Sequence, residues 1–308
     1  MKLLLIGDPH FSENQATVID KFIQEVYKLD LANYEKIIIL GDILDTHEKV
    51  NLRSLCKAID FIKYLSKHSK TYVLIGNHDR INNSVYLTEE HPFTGLKGLK
   101  NIYIIDKPFS EDNYLYVPYV ETGRFKEAIE DYNLEKIEKI FAHQEFLGSI
   151  FNDRGDPIPE TITYSGHIHN YRKIKNLTYV GTPFQHSYYD NDDKFLLEID
   201  DNIEKKIYLE IKKKRVVELK LSELLDYKVD KNYYTKLIIR EDKKLLKNKT
   251  IGKILNDEHI TYRLVKDNIS LKHNIIKKDI KFKNLLMENL KHDKNLLALY
   301  NKLERKVS

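Results

Sequence analysis

The chain has 308 residues, 42% hydrophobic and 32% charged, with 11 Gly and 7 Pro, a composition that excludes a disordered or fibrous protein and leaves ample apolar material for a core. One cysteine, Cys56, cannot form an internal disulfide and offers no thiolate cluster for zinc, which fits a reducing cytoplasm, the host's if the chain is viral, rather than secretion. The net charge of +4 is unevenly spread: residues 1–200 hold 23 Lys+Arg against 31 Asp+Glu and residues 201–308 hold 28 against 16, so the first part can host cations and the second can meet phosphates or an acidic partner.

The first apolar run ends at Gly7-Asp8, short of the roughly 7–15 residues of a secretory signal. No run approaches the ~18 residues of a membrane span, so no membrane association is expected. Strand-like runs follow at residues 2–7, 36–41, 71–76, 102–106, 114–119, 139–142, 161–165 and 177–181, rich in β-branched and aromatic residues with little alternation, as in strands covered on both faces. Val18, Phe22, Val26 and Leu29, then Leu55, Ile59, Ile62 and Leu65, mark helices between the early strands. The order predicts an α/β layered domain that begins parallel, with antiparallel additions where long helices are lacking. Beyond about residue 200 the pattern alternates, at Ile207, Leu209 and Ile211, at Val217, Leu219 and Leu221, and at Ile260, Tyr262 and Leu264, as in half-exposed strands of a second domain. From Lys281 an apolar helical stripe through Phe282, Leu286, Leu290, Leu297 and Tyr300 predicts helices that pack internally or bind a partner. The expected division is a catalytic domain over 1–200, a capping domain over 201–270 and a C-terminal helical segment over 271–308.

The chemistry lies where the apolar runs end: Asp8-Pro9-His10, Gly41-Asp42, Gly76-Asn77-His78-Asp79, Ala142-His143 and Gly166-His167-Ile168-His169. Carboxyl ends of strands in open α/β sheets border the ligand crevice, so these blocks are expected to converge. Asp8 and His10, like His167 and His169, are one residue apart, which points both side chains of each pair the same way along an extended chain. A lone histidine is more often a hydrogen-bonded structural residue than a ligand. Five such blocks in one order, each at a strand terminus, read as a metal centre made of Asp8, His10, Asp42, Asn77, His143, His167 and His169. A mixed N/O set without thiolates suits Mn²⁺, Fe²⁺ or Zn²⁺ and disfavours structural zinc. Seven ligands exceed the need of one ion, and two ions sharing a carboxylate, roughly 3.5–4 Å apart, are associated with phosphoester hydrolysis.

Together the blocks resemble the calcineurin-like metallophosphoesterases, whose pattern is D-x-H, G-D-x-x-D, G-N-H-D/E, H and G-H-x-H. The resemblance implies a four-layer αββα sandwich with a small α+β capping domain and C-terminal helices. It also implies that Asp8, His10, Asp42 and His169 hold one divalent ion and that Asp42, Asn77, His143 and His167 hold the other, with Asp42 bridging. Manganese is the expected metal, with magnesium, iron and zinc as alternatives. His78 resembles the family's phosphate-contacting histidine and candidate general acid, Asp45 a residue that orients a ligand histidine, and Asp79 a loop-ordering carboxylate. The protein phosphatases carry an arginine in G-D-x-V-D-R-G where this chain has Gly41-Asp42-Ile43-Leu44-Asp45-Thr46-His47, which leans the substrate towards diesters. Val117-Pro118-Tyr119, Ala142-His143-Gln144-Glu145-Phe146 and Tyr179-Val180-Gly181-Thr182-Pro183-Phe184-Gln185 resemble the SbcD-type recombination nucleases, phage-type members most. The implied activity is hydrolysis of DNA as exonuclease or endonuclease. DNA, an SbcC-like ATPase and a second copy of the chain are the expected partners, the ATPase because the family's nucleases work with one and no G-x-x-x-x-G-K-S/T loop is present here. A small-molecule phosphodiesterase or phosphatase and a non-enzymatic DNA-tethering subunit are the competing readings.

Overall fold

In the first two strands Leu4, Ile6, Ile37 and Ile39 bury towards one side while Leu3, Leu5, Ile38 and Leu40 bury towards the other, which is why their sequences show no alternation of polarity. The computed structural model describes residues 2–45, 49–149, 155–240 and 249–265. β1 (Lys2–Ile6), β2 (Lys36–Ile39), β3 (Lys70–Leu74) and β4 (Ile102–Ile105) pair in parallel. β11 (Leu196–Asp200) and β12 (Ile203–Ile207) extend this sheet antiparallel beyond β1, giving the order β12-β11-β1-β2-β3-β4. α1 (Ala16–Tyr27) and α2 (Leu52–Ser66) cover its outer face with Phe22, Val26, Phe61 and Ile62. α2 begins where the Asn51 side chain accepts from the Ser54 N–H at 3.1 Å, a cap worth about 1 kcal/mol.

The second sheet contains β5 (Phe109–Glu111), β6 (Tyr114–Val117), β7 (Lys139–Ala142), β8 (Ile162–Ser165), β9 (Arg172–Ile174) and β10 (Leu177–Tyr179), in the order β5-β6-β7-β8-β10-β9. Its inner face meets the first sheet through Tyr116, Phe141 and Tyr164, and Tyr72 stacks on Tyr116 with ring centres 4.6 Å apart. Its outer face carries α3 (Phe125–Ile129) on Leu115, Ile140 and Leu177, completing the αββα layering. Each fully buried Leu, Ile or Phe in these layers contributes about 1.5–3 kcal/mol.

β6, β7, β8 and β10 are parallel neighbours, against the expected antiparallel additions. Between β6 and β7 the chain crosses back through α3 and coil, whereas between β8 and β10 it runs out to the edge strand β9 and returns by a hairpin; β9 on β10 and β5 on β6 are antiparallel, as expected. The alternation at Ile207, Leu209 and Ile211 does not start a second domain's strand. Ile207 ends the edge strand β12, and Leu209 and Ile211 pack against the α1 side of the first core. The further strands β13 (Lys213–Lys220), β14 (Tyr233–Arg240) and β15 (Ile260–Val265) form a parallel three-stranded sheet, with α4 (Lys249–Leu255) placing Ile251 and Leu255 on Leu219, Leu237 and Ile239. β14, where the sequence shows no clear alternation, is the middle strand. The helical stripe from Lys281 lies outside the described residues, within which no helix is long and apolar enough to cross a membrane.

Candidate metal centre

The carboxyl ends of β1, β2, β3, β7 and β8 bring Asp8 and His10, Asp42, Asn77 and His78, His143, and His167 and His169 to one place. Glycine permits this approach. A Cβ on Gly41, whose φ is +102°, would lie 2.4 Å from His143 Nδ1, and one on Gly166 would lie 2.6 Å from both Asp8 Oδ1 and the Leu40 carbonyl. His10, Asp42 and His167 themselves sit at φ of 43°, 47° and 75°, left-handed conformations that a side chain adopts only when its surroundings fix it.

Asp42 belongs to two groups whose ligand atoms lie within 4.8 Å of one another: His10, Asp42 and His78 in one, Asp42, His143 and His167 in the other. On the first side His10 Nε2 is 3.1 Å from His169 Nε2 and 3.8 Å from Asp42 Oδ2. On the second, Asn77 Oδ1 is 3.0 Å from His143 Nε2 and 2.8 Å from His167 Nδ1, and Asp42 Oδ2 is 3.2 Å from His143 Nε2. Asp8 Oδ1 accepts from the His167 backbone N–H at 2.9 Å.

Proton positions follow from the partners. The Leu40 carbonyl only accepts, so His143 Nδ1 donates to it at 2.6 Å, which leaves Nε2 facing two oxygens, Asn77 Oδ1 and Asp42 Oδ2. A ring nitrogen and two oxygen acceptors converging on one point call for a cation there, a proton or a metal. Burial alone would lower the His143 pKa, but Asp42 and then Asp8 raise it to about 9, the proton filling the place a metal would take. Asp42 stays far below the usual carboxylate range despite burial, because His143 and His10 surround it. Burial pushes His10 down to about 3 and His167 to about 4, with neighbouring histidines adding to both, so their rings are neutral and carry lone pairs. Asp8 is raised, chiefly by burial. Asp8 Oδ2 is buried without a hydrogen-bond partner, a cost of about 1–3 kcal/mol that a bound cation would remove, while His10 Nδ1, also without one, lies on the Asp45 side of its ring. The residues fit divalent metal.

Neighbouring residues brace this set. Asp79 accepts from the backbone N–H groups of Leu44 at 2.9 Å and Gly76 at 3.0 Å, tying the ends of β2 and β3 together as a loop-ordering carboxylate. Asp45 Oδ1 is 3.6 Å from His10 Nδ1, and the Asp45 carbonyl accepts from His78 Nδ1 at 2.9 Å. Sequence reasoning stopped one residue short of His186. Its ring centre lies 4.9 Å from His10 and 5.6 Å from His169, its Nδ1 is 2.9 Å from Gln15 Nε2, and its Nε2 is 3.3 Å from the Asp8 carbonyl. Its sequence signal is its place directly after Thr182-Pro183-Phe184-Gln185.

The sequence profile described as calcineurin-like phosphoesterase matches residues 1–211. "Putative phosphoesterase 244L" of Invertebrate iridescent virus 6 is 39% identical over 210 residues, covering 64% of this chain and 74% of its own. "Putative phosphoesterase 078R" of Invertebrate iridescent virus 3 is 36% identical over 204 residues, covering 61% of this chain, and the chain spans only 59% of that relative's length. Among solved structures, the nuclease MPE of Pseudomonas putida matches 63% of this chain and 83% of its own at 17% identity, with a TM-score of 0.34.

Proposed function

The chain belongs to the calcineurin-like phosphoesterase family, and from that membership we propose that it is a two-metal phosphodiesterase that hydrolyses DNA. The observation that carries the two-metal part is Asp42, shared by two ligand groups beside the orphaned Asp8 Oδ2. In this reading Asp8, His10, Asp42 and His169 hold one divalent ion and Asp42, Asn77, His143 and His167 the other. Bound there, the pair supplies Lewis acidity towards a phosphoryl oxygen and an activated water.

His78 is assigned the leaving-group proton. Its backbone N–H donates to Asp42 Oδ1 at 2.8 Å and its Nδ1 to the Asp45 carbonyl, so both its main chain and its ring are anchored. The proposed role has His78 Nε2 pass a proton to the leaving alkoxide. Thr46 follows Asp45 where an arginine would grip a monoester dianion, which supports a diester substrate. The basic composition after residue 200 supports a polyanion, and an SbcC-like ATPase docked on the segment from 281 is part of the same proposal. A homodimer belongs to the same reading.

The test strips the full chain with chelator, restores Mn²⁺ or Mg²⁺, and compares bis(4-nitrophenyl) phosphate, 4-nitrophenyl phosphate and DNA. Diester and DNA hydrolysis should return, faster with Mn²⁺ because histidine nitrogens suit it better than Mg²⁺. Full activity in chelator would overturn the metal assignment, and rapid monoester hydrolysis without DNA cleavage would make the chain a phosphatase.

A further inference from the structure

A cleft of about 640 Å³ opens between the catalytic sheets and the capping sheet, directly beside the metal centre. Asp45, His169 and His186 form the end nearest the metals, Asn14, Gln15 and Thr17 line the side of α1, and Tyr188, Lys214, Tyr234 and Thr261 line the capping side. Tyr188 is half-buried, and its hydroxyl is 3.3 Å from Thr261 Oγ1, which pins the ring to β15. Lys214 and Lys236 each place their ammonium 5.9 Å from the Tyr188 ring centre, and Lys236 also lies 5.3 Å from the ring of Tyr189, itself 70% exposed. Among the described residues no carboxylate pairs with Lys236. Lys214 instead donates to Gln15 Oε1 at 2.8 Å and to the His186 carbonyl at 2.9 Å.

We propose that this cleft is a subsite for one unpaired nucleotide, its base against Tyr188 and its phosphate beside Lys236. The proposal rests on the diesterase reading and adds the strand state of the substrate. The cleft's volume lies within the ~300–1,000 Å³ range of small-molecule pockets, room for a nucleoside. An aromatic face flanked by lysines is the chemistry that holds single strands: a ring for any base and cations for the backbone. Several hydrogen-bonding groups here are engaged with one another, Gln15 with His186 and Lys214, Tyr188 with Thr261. Recognition at the Tyr188 end therefore falls to the ring. A strand end lying in the cleft passes its phosphodiester to His169 and Asp45, so the cleft selects single-stranded or frayed ends.

Binding of fluorescent oligonucleotides to the full chain in chelator tests this without involving hydrolysis. Oligo-dT should bind more tightly than a blunt duplex of equal length. An abasic oligomer of the same backbone should bind wild-type protein about 5- to 150-fold more weakly than oligo-dT, the range expected for one lost stacking contact. Tyr188→Ala should lose affinity for oligo-dT by a similar factor and bind oligo-dT and the abasic oligomer alike, while Tyr188→Trp should retain the difference. Equal binding of oligo-dT and the abasic oligomer by wild-type protein overturns the subsite, whatever the variants do. Wild-type hydrolysis of bis(4-nitrophenyl) phosphate with Mn²⁺ is read separately: its loss would sink the diesterase reading and leave the binding result standing.

Discussion

Three of the seven proposed ligands, His10, Asp42 and His167, hold left-handed backbone, and the centre tolerates them because glycines let the strands close around it. Gly166→Ala measures that constraint. Its new methyl would meet the Leu40 carbonyl as well as Asp8 Oδ1, each at 2.6 Å, and a backbone oxygen in a central strand end cannot swing aside. The expected outcome is metal content well below two ions per chain by elemental analysis and a stability loss of about 1–3 kcal/mol in a urea melt. Normal metal content would show that the approach is not essential. His78→Ala addresses chemistry: with the metal retained, the rate on DNA should fall about 10²–10⁴-fold. His78 also lies within reach of His10 and Asp42, so a collapse of metal content together with the rate would make it a ligand. The seven candidate ligands were legible in the sequence because each follows a buried apolar run whose end is unmistakable. His186 and Tyr188 were not, since they reach the site from a loop after β10, and their partners Gln15 and Thr261 are far away in the chain.

At the scale of elements, strands covered on both faces announced themselves, while strand direction and the short or polar strands did not. The three residues Arg172–Ile174 of β9 are too few for any period to show, and β14 mixes Tyr, Thr and Lys with its apolar residues because only one face of its three-stranded sheet meets α4. The run at 207–211 misled because its apolar residues cover α1 rather than a sheet of their own. A carboxylate on α1 fastens that crossing. Glu25 accepts from Lys21 at 2.8 Å and Lys28 at 2.5 Å and from the Glu210 backbone N–H at 3.3 Å, and the hydrogen bonds from Lys21 and then Lys28 hold its pKa down to about 2. A folded pKa below the unfolded one gives stability that is complete above about pH 4.5 and fades as pH falls towards 2. Glu25→Gln should therefore be less stable than wild type at pH 6, with the gap between their urea midpoints narrowing through pH 4 to pH 3. A gap independent of pH would mean that the ion pairs contribute nothing and packing alone sets the difference.

Across the whole molecule the charge division acquires a finer meaning once the lysines are placed. Several cations of the basic part already have acidic partners. Lys206 is 2.7 Å from Asp193, Lys213 is 3.1 Å from Asp192, and Arg215 is 3.5 Å from Asp230. Lys206 is also fixed over the rings of Tyr171 and Phe195, 4.4 Å from each centre. Under the proposed DNA reading, a cation neutralised inside the protein releases few counterions on binding, so net charge overstates the number of phosphate contacts. Lys236, facing only tyrosines among the described residues, should count in full. The logarithm of single-strand affinity against the logarithm of salt concentration should thus lose about 0.7 of slope in Lys236→Gln, one contact's worth, and keep its slope in Lys206→Gln. If Lys206→Gln flattens the line as much as Lys236→Gln, the pair with Asp193 opens on binding and the path of the strand runs over β12 as well as the cleft.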